Sequence, residues 1–259
     1  MQVTTERQAE IAERVRQSGF QSVADLARHF GVTTQTIRRD INELSESGVL
    51  KRRHGGAELP VPTDNLGFGE RQILNLSAKE RIARLVESYV PHGASLAISI
   101  GTTPALTVRH LAGRRGLTIV TNNLMAAVNA CALPSVAVHV PGGAVRPEAR
   151  DILGPEVEAF FERFKVDIGL YGVGGVDESG ELLDFSREEV QVRETIRRNC
   201  RRSFLVLDAS KFGRAAHVRG GRICEADIVF CDREPPSEIL RAIESAGGDV
   251  VFCTEEGRA

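Results

Sequence analysis

At 259 residues and 42 % hydrophobic, the chain is long enough for one small and one medium domain and apolar enough to bury a core. A formal net charge of −2 excludes a protein that coats nucleic acid by bulk charge, so any DNA contact has to come from a local patch. Five widely spaced cysteines, with no CxxC pair, read as reduced thiols. No secretory leader and no apolar run of about eighteen residues is present, so the expectation is a cytoplasmic protein with no membrane association.

From the amino terminus, Glu6 to Gln17 carries Ile11, Ala12 and Val15 at helical spacing and reads as a supporting helix. Ser22 can cap a second helix with Val23, Leu26, Ala27 and Phe30 on its apolar face, and Gly31 stands where that helix must turn. Thr33 can cap a third, in which Ile37, Ile41 and Leu44 recur as one buried stripe. Thr34, Gln35, Thr36, Arg38 and Arg39 lie at its start or off the stripe, where they can donate to phosphates or read base edges. Two short helices around a tight turn, the second polar and basic outward, form a helix-turn-helix with its second helix suited to the DNA major groove. Gly48 to Ala57 then reads as a hairpin bent at Gly55 and Gly56, with Lys51, Arg52, Arg53 and His54 in a run without an acid. Such a hairpin is a wing, suited to gripping phosphate. Residues 34–54 hold five Lys or Arg against three acids, a modest excess placed on one element.

Glu58 to Gly69, with two prolines, two glycines and an Asp-Asn pair, reads as an extended linker. Ser77 and Glu80 then make a capping box for a helix whose apolar face holds Ile82, Ala83, Leu85 and Val86. Beyond it short apolar runs alternate with helical patterns. The expected strands are Ser95–Ile100, Leu117–Thr121, Ser135–Val140, Ile168–Val173, Ser203–Asp208, Ile228–Cys231 and Asp249–Cys253. That alternation predicts an α/β domain around a largely parallel sheet, with ligands outside the carboxyl ends of its strands. The domains expected are 1–58 for the winged helix-turn-helix, 59–76 for the linker and 77–259 for the α/β domain.

The turns after the strands carry the candidate chemistry. Gly101-Thr102-Thr103 follows the first, with Thr103 as the cap and Pro104 at the first helical position; it reads either as a plain turn or as a phosphate-binding helix start. Asn122 and Asn123, Gly142 and Gly143, and Gly172 to Gly175 follow three others, and Asp208 to Arg214 brings Lys211, a cation for a phosphate dianion. Lys79 reads as a second such cation or as an ordinary exposed helix lysine. Asp184, Glu188, Glu189 and Asp208 are the acids near these turns, but no spacing singles one out as a catalytic base. The six histidines show no metal pattern, and a G-x-S-x-G elbow is absent. Neither a catalytic residue, a metal nor a cofactor is expected.

Thr36 to Ala57, TIRRDINELSESGVLKRRHGGA, resembles the signature of the DeoR family of bacterial transcription regulators. IGTTP, IVTNNL, GELLDF, DASKFGR and CDREPPSEIL extend the resemblance over nearly the whole chain. It implies a winged helix joined to an α/β sensor domain related in fold to sugar-phosphate isomerases. It implies a repressor binding double-stranded operator DNA as a homo-oligomer, dimer or tetramer, and released by a phosphorylated sugar or polyol; the later motifs point to glycerol 3-phosphate. The effector residues it suggests are Lys79, Gly101, Thr102, Thr103, Asn122, Asn123, Gly142, Gly143, Asp208 and Lys211. The alternatives are a response to another sugar or polyol phosphate, or an isomerase-like enzyme. The chain departs from the family at Ser99, where many members carry an acid two positions before the glycine.

Overall fold

The computed structural model describes residues 6–46, 49–58 and 66–253. Gly48 of the expected wing and residues 59–65 of the expected linker lie outside the described residues. The chain divides into two compact units, Met1–Leu66 with Glu70–Ala78 and Gly67–Gly69 with Lys79–Ala259.

The first unit contains α1 (Glu6–Ser18), β1 (Gln21–Ser22), α2 (Val23–Phe30), α3 (Thr34–Glu46), β2 (Lys51–Arg53) and β3 (Gly56–Glu58). The Ser22 hydroxyl accepts the Asp25 N–H as the cap of α2, and Gly31 ends that helix at φ 63°, a left-handed conformation that suits glycine. Thr33 accepts the Thr36 N–H at 3.2 Å. Ile11, Val15, Leu26, Ile37, Ile41 and Leu44 close a small core. The strands form a sheet in the order β1-β3-β2. The wing turns at His54 and Gly55, not at Gly55 and Gly56. Gly56 is instead a strand residue opposite Ser22 and Arg53. A side chain there would overlap the Gln21 carbonyl oxygen, and this close approach, invisible locally, is what the second glycine serves.

The stretch expected as linker is not extended throughout. It contains α4 (Phe68–Ile73), followed by α5 (Leu76–Ser88). Phe68 is buried in the core of the second unit and donates its N–H to the Glu148 carbonyl at 2.7 Å, so tertiary burial overrides the loop-like Gly-Phe-Gly composition. Because α5 starts at Leu76, Ser77 lies inside its first turn and does not cap it.

The second unit continues with β4 (Ser95–Ile98), α6 (Thr102–His110), β5 (Thr118–Thr121), α7 (Leu124–Ala130), β6 (Ala137–His139), β7 (Val145–Arg146), β8 (Asp151–Ile152) and α8 (Pro155–Phe161). Then follow β9 (Val166–Tyr171), β10 (Gly175–Val176), β11 (Glu181–Asp184), α9 (Arg187–Arg198), β12 (Cys200–Leu207), β13 (Val218–Arg222), β14 (Ile228–Cys231), α10 (Ser237–Ser245) and β15 (Asp249–Phe252). All seven expected strands join one parallel sheet in the order β15-β14-β12-β9-β4-β5-β6. Successive residues face opposite sides. Leu96, Ile98, Leu170, Phe204 and Val206 pack with α5, α6 and α7, while Ala97, Tyr171, Leu205 and Leu207 pack with α8, α9 and α10. This is the buried-on-both-faces pattern of a doubly wound α/β domain. The strand order reverses between β4 and β9, so the turns after these two strands flank the topological switch point. Two small antiparallel additions, β7-β8 and β10-β11-β13, decorate the sheet.

Candidate functional site

In the first unit α3 separates its faces cleanly. Ile37, Asp40, Ile41 and Leu44 are buried, while Thr34, Gln35, Arg38 and Arg39 are exposed. The buried Asp40 accepts two hydrogen bonds from Arg7, at 2.7 and 3.1 Å, which fixes α3 against α1. The hydrogen bond to Asp40 raises the Arg7 guanidinium above its usual value. Thr36 is half-buried, and its hydroxyl pairs with that of Thr33 at 2.9 Å, so it completes the helix start. Arg39 contacts Glu43 at 3.0 Å; that hydrogen bond, with one from Gln8, holds the Glu43 carboxyl below its usual range. Among the described residues Thr34, Gln35 and Arg38 have no side-chain hydrogen-bond or ion-pair partner. On the wing, Arg52 contacts Asn42 at 3.3 Å and Arg53 pairs with Glu58 at 2.7 Å, whereas exposed Lys51 and His54 carry no such partner among the described residues. The surface therefore offers uncommitted Thr34, Gln35, Arg38, Lys51 and His54 beside cations held in weak, solvent-screened contacts.

In the second unit the turn after β4 is built on Gly101, at φ 111° and ψ 162°, a conformation other residues rarely adopt. Gly101 is itself the N-cap of α6, and no side chain caps the helix. The helix thus begins at Thr102, two positions earlier than expected: Thr103 is not the cap and Pro104 is the third helical residue. Glycine permits this bend before either threonine is reached. Thr102 and Thr103 are buried at the helix start, where first-turn N–H groups and the positive end of the helix favour an anion.

Asn123 serves the scaffold. Its side-chain oxygen caps α7 by accepting from Met125 and Ala126, and its side-chain nitrogen donates to the Ser99 and Gly101 carbonyls. With all four positions used, it ties the β5 turn to the β4 turn. The Thr121 hydroxyl reinforces that tie by donating to the Ile98 carbonyl at 2.7 Å. Asn122 is fully buried and donates to the Ile152 carbonyl, and its side-chain oxygen has no hydrogen-bond partner among the described residues. Gly143, at φ 137°, lies against Ile152, while Gly142 faces open space.

At the end of β12, Asp208 accepts from the Ser210 N–H and hydroxyl. Burial pushes its carboxyl up, but Lys211 and Lys79, aided by Ser210, outweigh burial and hold it below the usual range. Lys79 is only 4 % exposed, so of its two readings the solvated helix lysine is not what the fold produces. The candidate residues therefore form two groups, the linked β4 and β5 turns and the Lys79–Asp208–Lys211 cluster. Gly172, after β9, stands between them: a side chain added there would lie 3.7 Å from Pro104 and 3.4 Å from the Val206 carbonyl.

Sequence reasoning missed the arginines. Arg146 pairs with Asp151 at 2.7 and 2.9 Å and with Glu189 at 3.2 Å. Arg193 is buried on α9 against Asp184, Glu194 and the Gly220 carbonyl. Burial raises the Asp184 carboxyl despite Arg193. The available signal was Arg193 itself, which shares the apolar face of its helix with Val192, Ile196 and Glu189. Among the described residues no group of three His, Cys, Asp or Glu is placed to hold a metal, and no helix is long and apolar enough to cross a membrane.

Comparison with known proteins adds independent findings. Residues 7–63 match a DeoR-like helix-turn-helix domain, and residues 74–233 match the DeoR C terminal sensor domain. The chain is similar to the glycerol-3-phosphate regulon repressor of Escherichia coli, 39 % identical over 239 residues that cover 92 % of this chain and 95 % of the relative. It is similar to the repressor of the same name from Haemophilus influenzae, 36 % identical over 252 residues, 97 % and 98 % of the two chains. Among solved structures, ribose 5-phosphate isomerase A from Methanocaldococcus jannaschii aligns with 53 % of this chain and 55 % of its own at 17 % identity and a TM-score of 0.38.

Proposed function

The chain belongs to the DeoR family, and from that premise we propose that it is a DNA-binding transcriptional repressor of a glycerol or glycerol 3-phosphate regulon, relieved when glycerol 3-phosphate binds its α/β unit. One observation carries the reading. The exposed side of α3 keeps Thr34, Gln35 and Arg38 uncommitted beside a basic wing, in the same chain as a sensor-family sheet whose strand ends gather two lysines. The first can read base edges, with Arg39, Arg52 and Arg53 exchanging weak intramolecular partners for phosphate. The second suits a small phosphate ester, bound at the first turn of α6 with help from Lys211. Asn122 is the better candidate to meet a ligand hydroxyl, since Asn123 is fully occupied. Paired half-sites call for a homo-oligomer. The protein acts in the cytoplasm as a regulator and turns nothing over.

The effector must favour the conformation that does not bind DNA, because equal affinity for both states shifts nothing. The test is a thermal-shift comparison of glycerol 3-phosphate, ribose 5-phosphate and inorganic phosphate, followed by operator binding with and without the best stabiliser. Glycerol 3-phosphate should raise the melting temperature and release the operator. Thr102→Val should keep operator affinity and respond to higher effector concentrations only. Conversion of any sugar phosphate to an isomer, surviving removal of residues 1–58, would replace the regulator with an enzyme.

A further inference from the structure

Helix α5 changes company along its length. Leu76–Ala78 group with the first compact unit and the residues from Lys79 onward with the second, yet the helix is unbroken from Leu76 to Ser88. Its first two cations past that point both bear on strand-end carboxylates, Lys79 through its charge and Arg81 by direct contact. The buried Lys79 acts on Asp208. Arg81, two residues on, reaches Asp232 just after β14, at 3.5 Å. Asp232 is buried, and its other oxygen accepts the Ala209 N–H at 2.7 Å. Ala209 opens the short helical turn Ala209–Lys211, whose cap is Asp208. The carboxylate of Asp232 therefore ties this turn to Arg81 of α5, and Asp208, its cap, feels the charge of Lys79.

Ordinary docking does not require the arrangement. Ile82, Ala83 and Val86 are already buried. An ion pair at 3.5 Å whose arginine side chain is 43 % exposed adds little to stability. What the pair does supply is a direct path of contacts, through Asp232, from the turn that carries Lys211 to α5, whose first residues group with the first unit. We propose that the Arg81–Asp232 ion pair, together with the Ala209 N–H that Asp232 accepts, forms the coupling element of the repressor, with buried Lys79 beside it on the same helix. A phosphate dianion beside Lys211 competes with Asp208 for the two lysines, the turn resettles, Asp232 and Arg81 follow it, and α5 carries the change along the chain. The inference rests on the reading that a phosphate ester binds at these strand ends. Arg81 is in this scheme a positioning residue and touches neither DNA nor effector.

The experiment uses full-length protein carrying Arg81→Gln or Arg81→Lys, with glycerol 3-phosphate as probe. Arg81→Gln should leave the glycerol 3-phosphate thermal shift and the effector-free operator affinity as in the wild type. It should reduce by about tenfold the factor by which effector weakens operator binding. Coupling is reciprocal, so operator DNA should also lose its power to weaken effector binding in this variant. Arg81→Lys should restore much of both effects. Undiminished coupling in Arg81→Gln overturns the proposal, as does loss of the thermal shift together with coupling, which would make Arg81 part of the binding site. A wild-type protein that shows no thermal shift with glycerol 3-phosphate or inorganic phosphate fails at the earlier step, and the reading of the site falls with the coupling built on it.

Discussion

On α3, Arg38 stands without a partner among the described residues and Arg39 is 83 % exposed beside Glu43. On α9, Arg193 is 1 % exposed and engaged by Asp184, Glu194 and the Gly220 carbonyl. The same residue type thus serves opposite physics in the two units. A surface that recognises duplex DNA works by displacing counterions, which needs hydrated cations free to move onto phosphates and bases. In the interior of the sensor unit a charge has to be paired, because a buried charge left without its partner costs about 3–5 kcal/mol. The outer side of α3 holds its cations in reserve, whereas Arg193 serves α9 as framework, as Arg7 does beneath α3.

Removing Arg193 should give the largest effect. Arg193→Met leaves Asp184 buried with only the Gly174 N–H as partner among the described residues, and should cost about 3–5 kcal/mol in urea unfolding of the sensor unit. A loss indistinguishable from that of an exposed arginine would erase the contrast between the units. Arg38→Ala should leave stability unchanged and weaken operator binding by about 1–3 kcal/mol, with relaxed preference at one base pair. Uniform weakening on all sequences would move Arg38 from base reading to phosphate contact. The smallest effect belongs to the wing. Arg52→Ala, which loses only the 3.3 Å contact to Asn42, should reduce the slope of log affinity against log salt by about one. An unchanged slope would detach Arg52 from the phosphate backbone.

Much of this architecture is written locally. Ser22, Gly31 and Thr33 mark helix ends by their own chemistry, and Ile37, Ile41 and Leu44 declare the buried side of α3 by spacing alone. The seven main strands are short apolar runs; the five central ones are readable because they are buried in the sheet, while the edge strands β6 and β15 show only by the same apolar composition. What escaped depends on residues far apart in the chain. Phe68 is helical because of a core and a carbonyl at Glu148 that it meets only after folding. Gly56 matters because Gln21 comes close. β10, β11 and β13 are brief strands defined by one another, and β11 reaches β13 across Arg187–Arg198 and β12. In the candidate site the glycine and threonine turn was legible as a motif. Its division of labour was not: nothing in Asn122-Asn123 says that the second amide would be wholly consumed by the Ser99 and Gly101 carbonyls and by the start of α7. Arg81 and Asp232 lie 151 residues apart, beyond any local pattern.

The backbone at Gly101 limits which residues this turn can carry. With φ at 111° and ψ at 162°, the bend accepts essentially one amino acid. In the site proposed above, a change of ligand preference would fall to neighbours such as Ser99, Asn122 and Gly142, while the pivot stays constant. A saturation library across residues 99–103 should return near-silence at 101 and graded phenotypes on either side, an imprint of geometry that no choice of inducer can remove.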